Sequence, residues 1–398
     1  MLLLEAFKTS IINLIREINN RRNSMMNNLR SGIYIITTTI YVPTVLERYR
    51  QLAIQEGVNL KGIIVAGDLK TPKETEEFLA RDPIYTYLTP NQQGKRKCSE
   101  SLGWNRIMRR NIALLEAIER CDLDNDIIIS IDDDNYPIDE TYFLTFILTL
   151  TQPFRGLYYE DSEWFNIGNL FEPQFFHRGF PHRFDDRKEP YKFSYRDLEA
   201  NDNKVGIAAG LWIGDPDIDA IERIMLSPCI KTIPDLVKSG IVIKPGCFAP
   251  TNSQNTAFPA ILAPIMAVWP WVGRYDDIWA SYLAQKIMWD LGYLVHYGPP
   301  FCLQNRNPHN LLLNLKDEID GLEHTVELVT TIDSIVFKDV PNRTANNAFN
   351  RFAYAIDQLF HPMISKEYSE RSDIYKLFGF LDNWISEVGK IINGKLPI

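Results

Sequence analysis

Three consecutive carboxylates, Asp132, Asp133 and Asp134, close an apolar run that holds Ile127, Ile128, Ile129 and Ile131. An Asp-x-Asp pair on a turn aims two hard oxygen donors at one point, which suits Mg²⁺ or Mn²⁺ carrying a diphosphate. The same acids suit the start of a helix expected over residues 140–150. One cap accounts for one Asp, not three. A second acidic pair, Asp276-Asp277, follows Gly273-Arg274-Tyr275 where a helix opens and runs to about residue 291. A helix dipole favours acids there. If the pair faces the cleft of Asp134, one member can instead serve as a general base or hold a sugar hydroxyl.

Cationic candidates lie in two places. Gly94-Lys95-Arg96-Lys97 is a basic loop, followed by a helical pattern over residues 104–118 that carries Arg106, Arg109 and Arg110. The loop and the helix's amino end could receive a phosphate, or form a solvated face. Residues 175–183, Phe-Phe-His-Arg-Gly-Phe-Pro-His-Arg, are broken by Gly and Pro and read as a loop with aromatic walls. Its Arg178 and Arg183 are then a diphosphate or sugar clamp, or surface arginines stacked on Phe. Asp217 and Asp219 cap a helix or join the site. The polar loop over residues 250–256, with Asn252 and Asn255, suits hydrogen bonding to hydroxyls.

These groups need a frame. The isoleucine run is β-branched and too short for a helix, so it predicts a buried parallel strand with the acids at its carboxyl end, the edge where open α/β sheets bind ligands. Strands over residues 33–39, 62–68 and 205–213 alternate with helices in a βαβ pattern. No Gly-x-Gly-x-x-Gly or P-loop signature follows the first two strands, which removes the main support for dinucleotide-binding or P-loop readings. Apolar spacing predicts an amphipathic helix with a basic tail over residues 1–30 and two more helices over residues 349–360 and 374–392. The expected division is an amino-terminal helix (1–30), an α/β domain (31–325) and a helical carboxyl segment (326–398).

The 398 residues suffice for one large core. A net charge of −9 excludes a general nucleic-acid binder. Five scattered cysteines without a Cys-x-x-Cys pair point to free thiols in a reducing compartment. No signal-peptide core or membrane span is evident, so a cytoplasmic protein is expected. The amino-terminal helix and carboxyl tail are candidates for peripheral membrane or homo-oligomer contact.

Taken in order, these motifs resemble the plant reversibly glycosylated polypeptides, also known as UDP-arabinopyranose mutases. The matching segments are Ile131 to Asn135, Arg178-Gly179-Phe180-Pro181, Gly210-Leu211-Trp212 with Pro216-Asp217-Ile218-Asp219-Ala220, Gly273 to Ala280, and Asn307-Pro308 with Asn314-Leu315-Lys316. The resemblance implies a GT-A type α/β fold, a UDP-sugar substrate, and Mn²⁺ or Mg²⁺ held by Asp132 and Asp134. It places a glycosylated arginine at Arg178, with Asp276 and Asp277 as catalytic carboxylates. Arg106, Arg109, Asp133, Arg183, Trp212, Asn252, Asn255 and Arg274 become substrate-binding candidates. Gln304 stands where the family has a His, with His309 nearby, and Arg183 lies closer to Arg178 than in the plant pattern. The Arg-Gly-x-Pro and Asn-rich features are also similar to the STELLO glycosyltransferase-like proteins, which keeps open a conventional transferase with an external acceptor. A non-catalytic partner subunit is the third reading.

Overall fold

The computed structural model describes residues 31–182, 191–198, 204–306, 310–337, 344–364 and 373–395. The helix expected over residues 1–30, Arg183 and His309 lie outside these. β-Branched residues dominate strands β1 (Ile33–Thr38) and β4 (Ile127–Ile131) and form the centre of β2 (Leu60–Ala66), with β3 (Tyr85–Leu88) shorter. The sheet is completed by β5 (Asn135–Pro137), β6 (Arg155–Tyr159), β7 (Phe193–Asp197), β8 (Lys204–Gly214), β9 (Ile241–Ile243), β10 (Asn255–Pro259) and β11 (Tyr293–Gln304).

Strand order is β3-β2-β1-β4-β10-β8-β11-β9-β6-β7, with β5 against β11. The first four strands are parallel, β10 runs antiparallel to β4, and β8 pairs in parallel with β11. From β1 the chain builds outward to β2 and β3, then returns to lay β4 on the other side. Such a reversal leaves a crevice beyond the carboxyl ends of β1 and β4, the place where α/β sheets bind ligands. This is the α/β architecture with a helical carboxyl region expected from the sequence.

Alternation along the strands feeds two apolar layers. Ile127, Ile129 and Ile131 face helices α1 (Leu46–Glu56) and α3 (Tyr142–Thr151), whereas Ile128 faces α2 (Arg110–Arg120). Both faces being covered explains why β4 carries isoleucine at four of its five positions rather than alternating. Helix α4 (Asp276–Asp290) lies in the same layer as α2.

A 23-residue helix, α5 (Leu311–Asp333), was not anticipated. Its start is set by Asn310, whose Oδ1 accepts from the Leu312 and Leu313 amides. Leu312 and Leu313 are exposed, and that lack of a clean apolar stripe hid the helix from a periodicity reading. It runs without a break through position 325. Helices α6 (Ala345–Ile364) and α7 (Asp373–Lys395) match the two expected, and α7 buries Trp384, whose Nε1 donates to the Pro264 carbonyl at 2.9 Å. Among the described residues no helix is long and apolar enough to cross a membrane.

Candidate active site

The three acids sit where the isoleucine strand stops. The Asp132 amide donates to the Gln254 carbonyl at 2.9 Å and the Asn135 amide to the Asp132 carbonyl at 3.3 Å, which turns the chain out of the sheet. They do not cap α3, whose first position follows Thr141, so the capping alternative falls away. Asp132 Oδ1 is gripped by the Arg110 guanidinium, and Asp133 Oδ2 accepts from the Thr39 hydroxyl at the end of β1. Asp134 Oδ2 accepts from Gln304 Nε2 at 3.1 Å. Burial, reinforced by the charge of Asp132, pushes Asp134 up to about 6. Burial also raises Asp133, against its bond from Thr39.

Facing them is a buried charge network around Arg178. Gly179, at φ +97°, makes the turn that tucks Arg178 inward; a Cβ there would sit 2.3 Å from Ile278 Cγ2. The guanidinium makes a two-point contact with Asp217, Nε to Oδ1 and Nη2 to Oδ2, both at 3.0 Å. Nη2 also reaches Asp277 Oδ1 at 3.2 Å, and Nη1 donates to the Arg274 carbonyl. Burial works against the charge, but Asp217 and Asp277 hold Arg178 well above its ordinary pKa. The neighbouring aromatics Phe175, Phe176 and Phe180 are not ligand walls as expected; they are buried and anchor the loop to the core.

Asp276 and Asp277 open α4 and share this cleft. The turn that leads into them passes through Gly273, at φ +61°, where a Cβ would meet the Asp317 carbonyl oxygen of α5 at 1.9 Å. The two carboxylates differ. Asp277 Oδ2 accepts from the Ser253 amide at 2.9 Å and hydroxyl at 3.1 Å, leaving no oxygen unengaged. Burial would raise it, but Arg178 and the Ser253 amide keep it below the usual carboxylate range. Asp276 accepts from the Asp277 amide at 2.9 Å and stands 3.9 Å from Arg178. Burial and the charge of Asp277 push it up to about 7.

Several other candidates are placed differently from expectation. Arg109 points away from the cleft: it is fully buried, lies 3.3 Å from the Trp104 ring centre, and donates to Ser99. Burial lowers it to about 10. Its neighbour Arg110 enters the site, joining Asp132 to the Ser253 carbonyl at 2.6 Å. A shift of one residue along a helix turns a side chain by about 100°, from 3.6 residues per turn, so spacing alone did not choose between them. Arg106 lines the cleft, whereas Arg96 of the basic loop pairs with Glu116 and Glu119 outside it. Trp212 and Asn255 are buried structural groups, bonded to Gln254 and to Tyr142 respectively. Asn252 supports Asp217 at 2.8 Å from behind. Arg274 reaches the cleft and is paired with Glu318 at 2.7 Å. Asp219 caps the short helix Ala220–Met225, but Asp217 does not.

Arg306 was missed. It follows Gln304 by two residues, donates to Asp217 Oδ1 at 3.1 Å, and lines the cleft. The full cleft encloses about 390 Å³ and brings Asp132, Asp133 and Asp134 together with Arg178, Asp276 and Asp277.

Asp132 and Asp134 fit a divalent cation in one specific sense. Each keeps one carboxylate oxygen with no partner among the described residues. Among those residues no group of three His, Cys, Asp or Glu side chains forms a cage. Mg²⁺-type ions are commonly held in this way, by one or two carboxylates with the rest of the shell from substrate phosphates and water. The raised Asp134 is a carboxylate that a cation would relieve.

Comparison with known proteins follows this geometry. Residues 124–361 match the family model described as reversibly glycosylated polypeptide. UDP-arabinopyranose mutase 3 of Arabidopsis thaliana is 27% identical over 186 residues, 43% of this chain and 48% of that protein. A probable UDP-arabinopyranose mutase 1 of Pisum sativum is 30% identical over 131 residues, 31% of this chain and 35% of its own. The chain thus spans half the length or less of these curated relatives. A solved mannosyltransferase from Pyrobaculum calidifontis, in complex with GDP-Man and Mn²⁺, aligns over 92% of this chain and 88% of its own at 11% identity and a TM-score of 0.38, a likeness too loose to carry residues or ligands across.

Proposed function

Because the chain belongs to the reversibly glycosylated polypeptide family, we propose that it is an enzyme that takes a UDP-sugar, opens the bond between the anomeric carbon and the diphosphate, and passes the glycosyl group on. The observation that carries this is the single cleft in which the Asp132–Asp134 turn faces Arg178, Asp276 and Asp277. Asp132 and Asp134 would hold Mn²⁺ or Mg²⁺, which when bound offsets charge on the departing diphosphate. Arg106 and Arg306 line the same cleft and add fixed positive charge toward it. Asp133, tied to Thr39, keeps the turn in place. Asp276, whose carboxylate has few partners and a pKa near neutrality, takes the proton of the attacking hydroxyl.

The relatives are named UDP-arabinopyranose mutases, which favours ring exchange of the sugar on UDP. Self-glycosylation of Arg178 fits that outcome less well than the name suggests. Its guanidinium is held protonated by carboxylates and its donors are committed, so it lacks a lone pair to attack with. Arg178 reads instead as the group that fixes Asp277 and the sugar-facing wall. That observation favours a second reading, transfer to an external hydroxyl. Incubating pure protein with UDP-arabinopyranose and Mn²⁺ tests both. Conversion to the furanose form without an acceptor supports the mutase, and turnover only after an acceptor is added supports the transferase. Absence of UDP binding in the presence of Mn²⁺ would remove the proposal.

A further inference from the structure

A second cavity of about 220 Å³ adjoins the main cleft, and the wall between them is made by Arg274 and Arg306, which line both. Its other charged groups are Arg223, Asp215, Asp219 and Glu318. Three guanidiniums stand against three carboxylates, a lining charge of zero, so the cavity does not select an anion. The charges are already matched, Arg223 to Asp215 at 3.1 Å and Arg274 to Glu318 at 2.7 Å. What remains on offer is a dense mixture of fixed donors and acceptors, to which Asn314 adds one of each. Arg306 Nε is buried with no hydrogen-bond partner among the described residues. A saccharide hydroxyl both donates and accepts, and a ring carrying several of them matches such a lining.

The sequence motifs converge here as well. Ile218, Asp219 and Ala220 come from the segment after Gly210-Leu211-Trp212, Arg274 from the Gly273 octet, and Asn314 from the last motif. Of these, only Arg274 also lines the main cleft.

We propose that this cavity is an acceptor subsite for an uncharged polyhydroxylated group, a saccharide end, and that the enzyme is a transferase. The proposal rests on the reading of the main cleft as a UDP-sugar site. An acceptor seated there presents one hydroxyl past Arg274 and Arg306. Its oxygen forms a bond to the anomeric carbon as the bond from that carbon to the diphosphate breaks, the electron pair leaves on UDP, and the hydroxyl proton passes to the Asp276 carboxylate.

The test uses the full chain with UDP-glucose and UDP-arabinopyranose as donors, Mn²⁺, and methyl glycosides of glucose, galactose, mannose, xylose and arabinose as acceptors. At least one glycoside raises UDP release about tenfold and gains a glycosyl unit detectable by mass. Leu311→Trp, which fills the cavity from its apolar wall, removes that gain while UDP affinity, measured in parallel, shows that the protein is folded. Asn314→Ala raises the acceptor KM with little change in kcat. Two results overturn the subsite: no glycoside accelerates release although UDP binds, or the acceleration survives Leu311→Trp. Loss of UDP binding in the unmodified protein would instead strike the donor-site reading beneath it.

Discussion

Arg178 and Asp217 meet through two parallel hydrogen bonds of 3.0 Å, with Asp217 only 1% exposed and Arg178 only 7%. Breaking one partner of a buried pair leaves an uncompensated charge, typically about 3–5 kcal/mol. Asp217→Ala is therefore expected to lower unfolding stability by about that amount in urea titration. Arg178→Lys does not restore the two-point contact, because an ammonium has no planar fork. A loss below about 1 kcal/mol for Asp217→Ala would show that the loop is held by other means.

Activity is expected to fall on the acid side with an apparent pKa near 7, where Asp276 gains its proton. The limb belongs to the Asp276–Asp277 pair rather than to one atom. Asp276→Asn removes it and lowers kcat about 10²–10⁴-fold. Stability runs the other way. Because the folded pKa of Asp276 lies above the ordinary 3.8, the folded protein keeps a proton the unfolded chain has released, and stability falls as pH rises between those values. Asp277, held low, contributes stability that is present above its ordinary pKa and lost as pH falls through its folded one. A pH–rate profile and denaturation at several pH values check both signs.

Metal dependence separates the two acids of the turn. Asp134→Ala is expected to weaken Mn²⁺-dependent UDP binding at least about tenfold with little loss of stability, read by calorimetry. Asp132→Ala also unfolds more easily, since it strips Arg110 of its carboxylate. Since Asp134 titrates near 6, Mn²⁺ binding tightens as pH rises through that value. A Mn²⁺ affinity that is flat from pH 5 to pH 7, about one unit either side, would count against Asp134 as a ligand.

Adjacent arginines make a sharp contrast. Arg109→Leu is expected to keep UDP affinity within about threefold while changing stability, because its partners are Trp104 and Ser99. Arg110→Met is expected to reduce turnover by tenfold or more, about 1.4 kcal/mol, by freeing Asp132 and Ser253. Equal effects of the two on UDP affinity would refute the assignment.

Much of the frame was legible because it is written in short-range chemistry. Four β-branched residues among the five of Ile127–Ile131 read as a strand covered on both faces, which puts the three acids after it at its carboxyl end. The partners of those acids were less visible. Asp132 to Arg110 and Asp134 to Gln304 join residues 22 and 170 positions apart, and no local pattern encodes such pairs. Asp217 and Asp219 read alike as caps or site residues, and only tertiary contact with Arg178 and Arg306 separates Asp217 from its capping neighbour. The second Arg in a row, and the helix opening at Leu311, were lost for the same reason: their placement is decided by what packs against them.

Helix α7 fastens the molecule across long stretches of chain. Trp384 bonds to the Pro264 carbonyl, Asn383 reaches Ser101 from 282 positions away, and Lys395 reaches the Cys121 carbonyl from 274. Trp384→Ala is expected to cost about 3–5 kcal/mol, measured by urea denaturation.

Contacts of such large sequence separation form slowly, because loop closure must precede them. The seam beside α2 is thus closed by residues that the chain leaves far apart in sequence. Integrity of the layer that carries α2 therefore depends on a helix that joins it from 274 and 282 positions away.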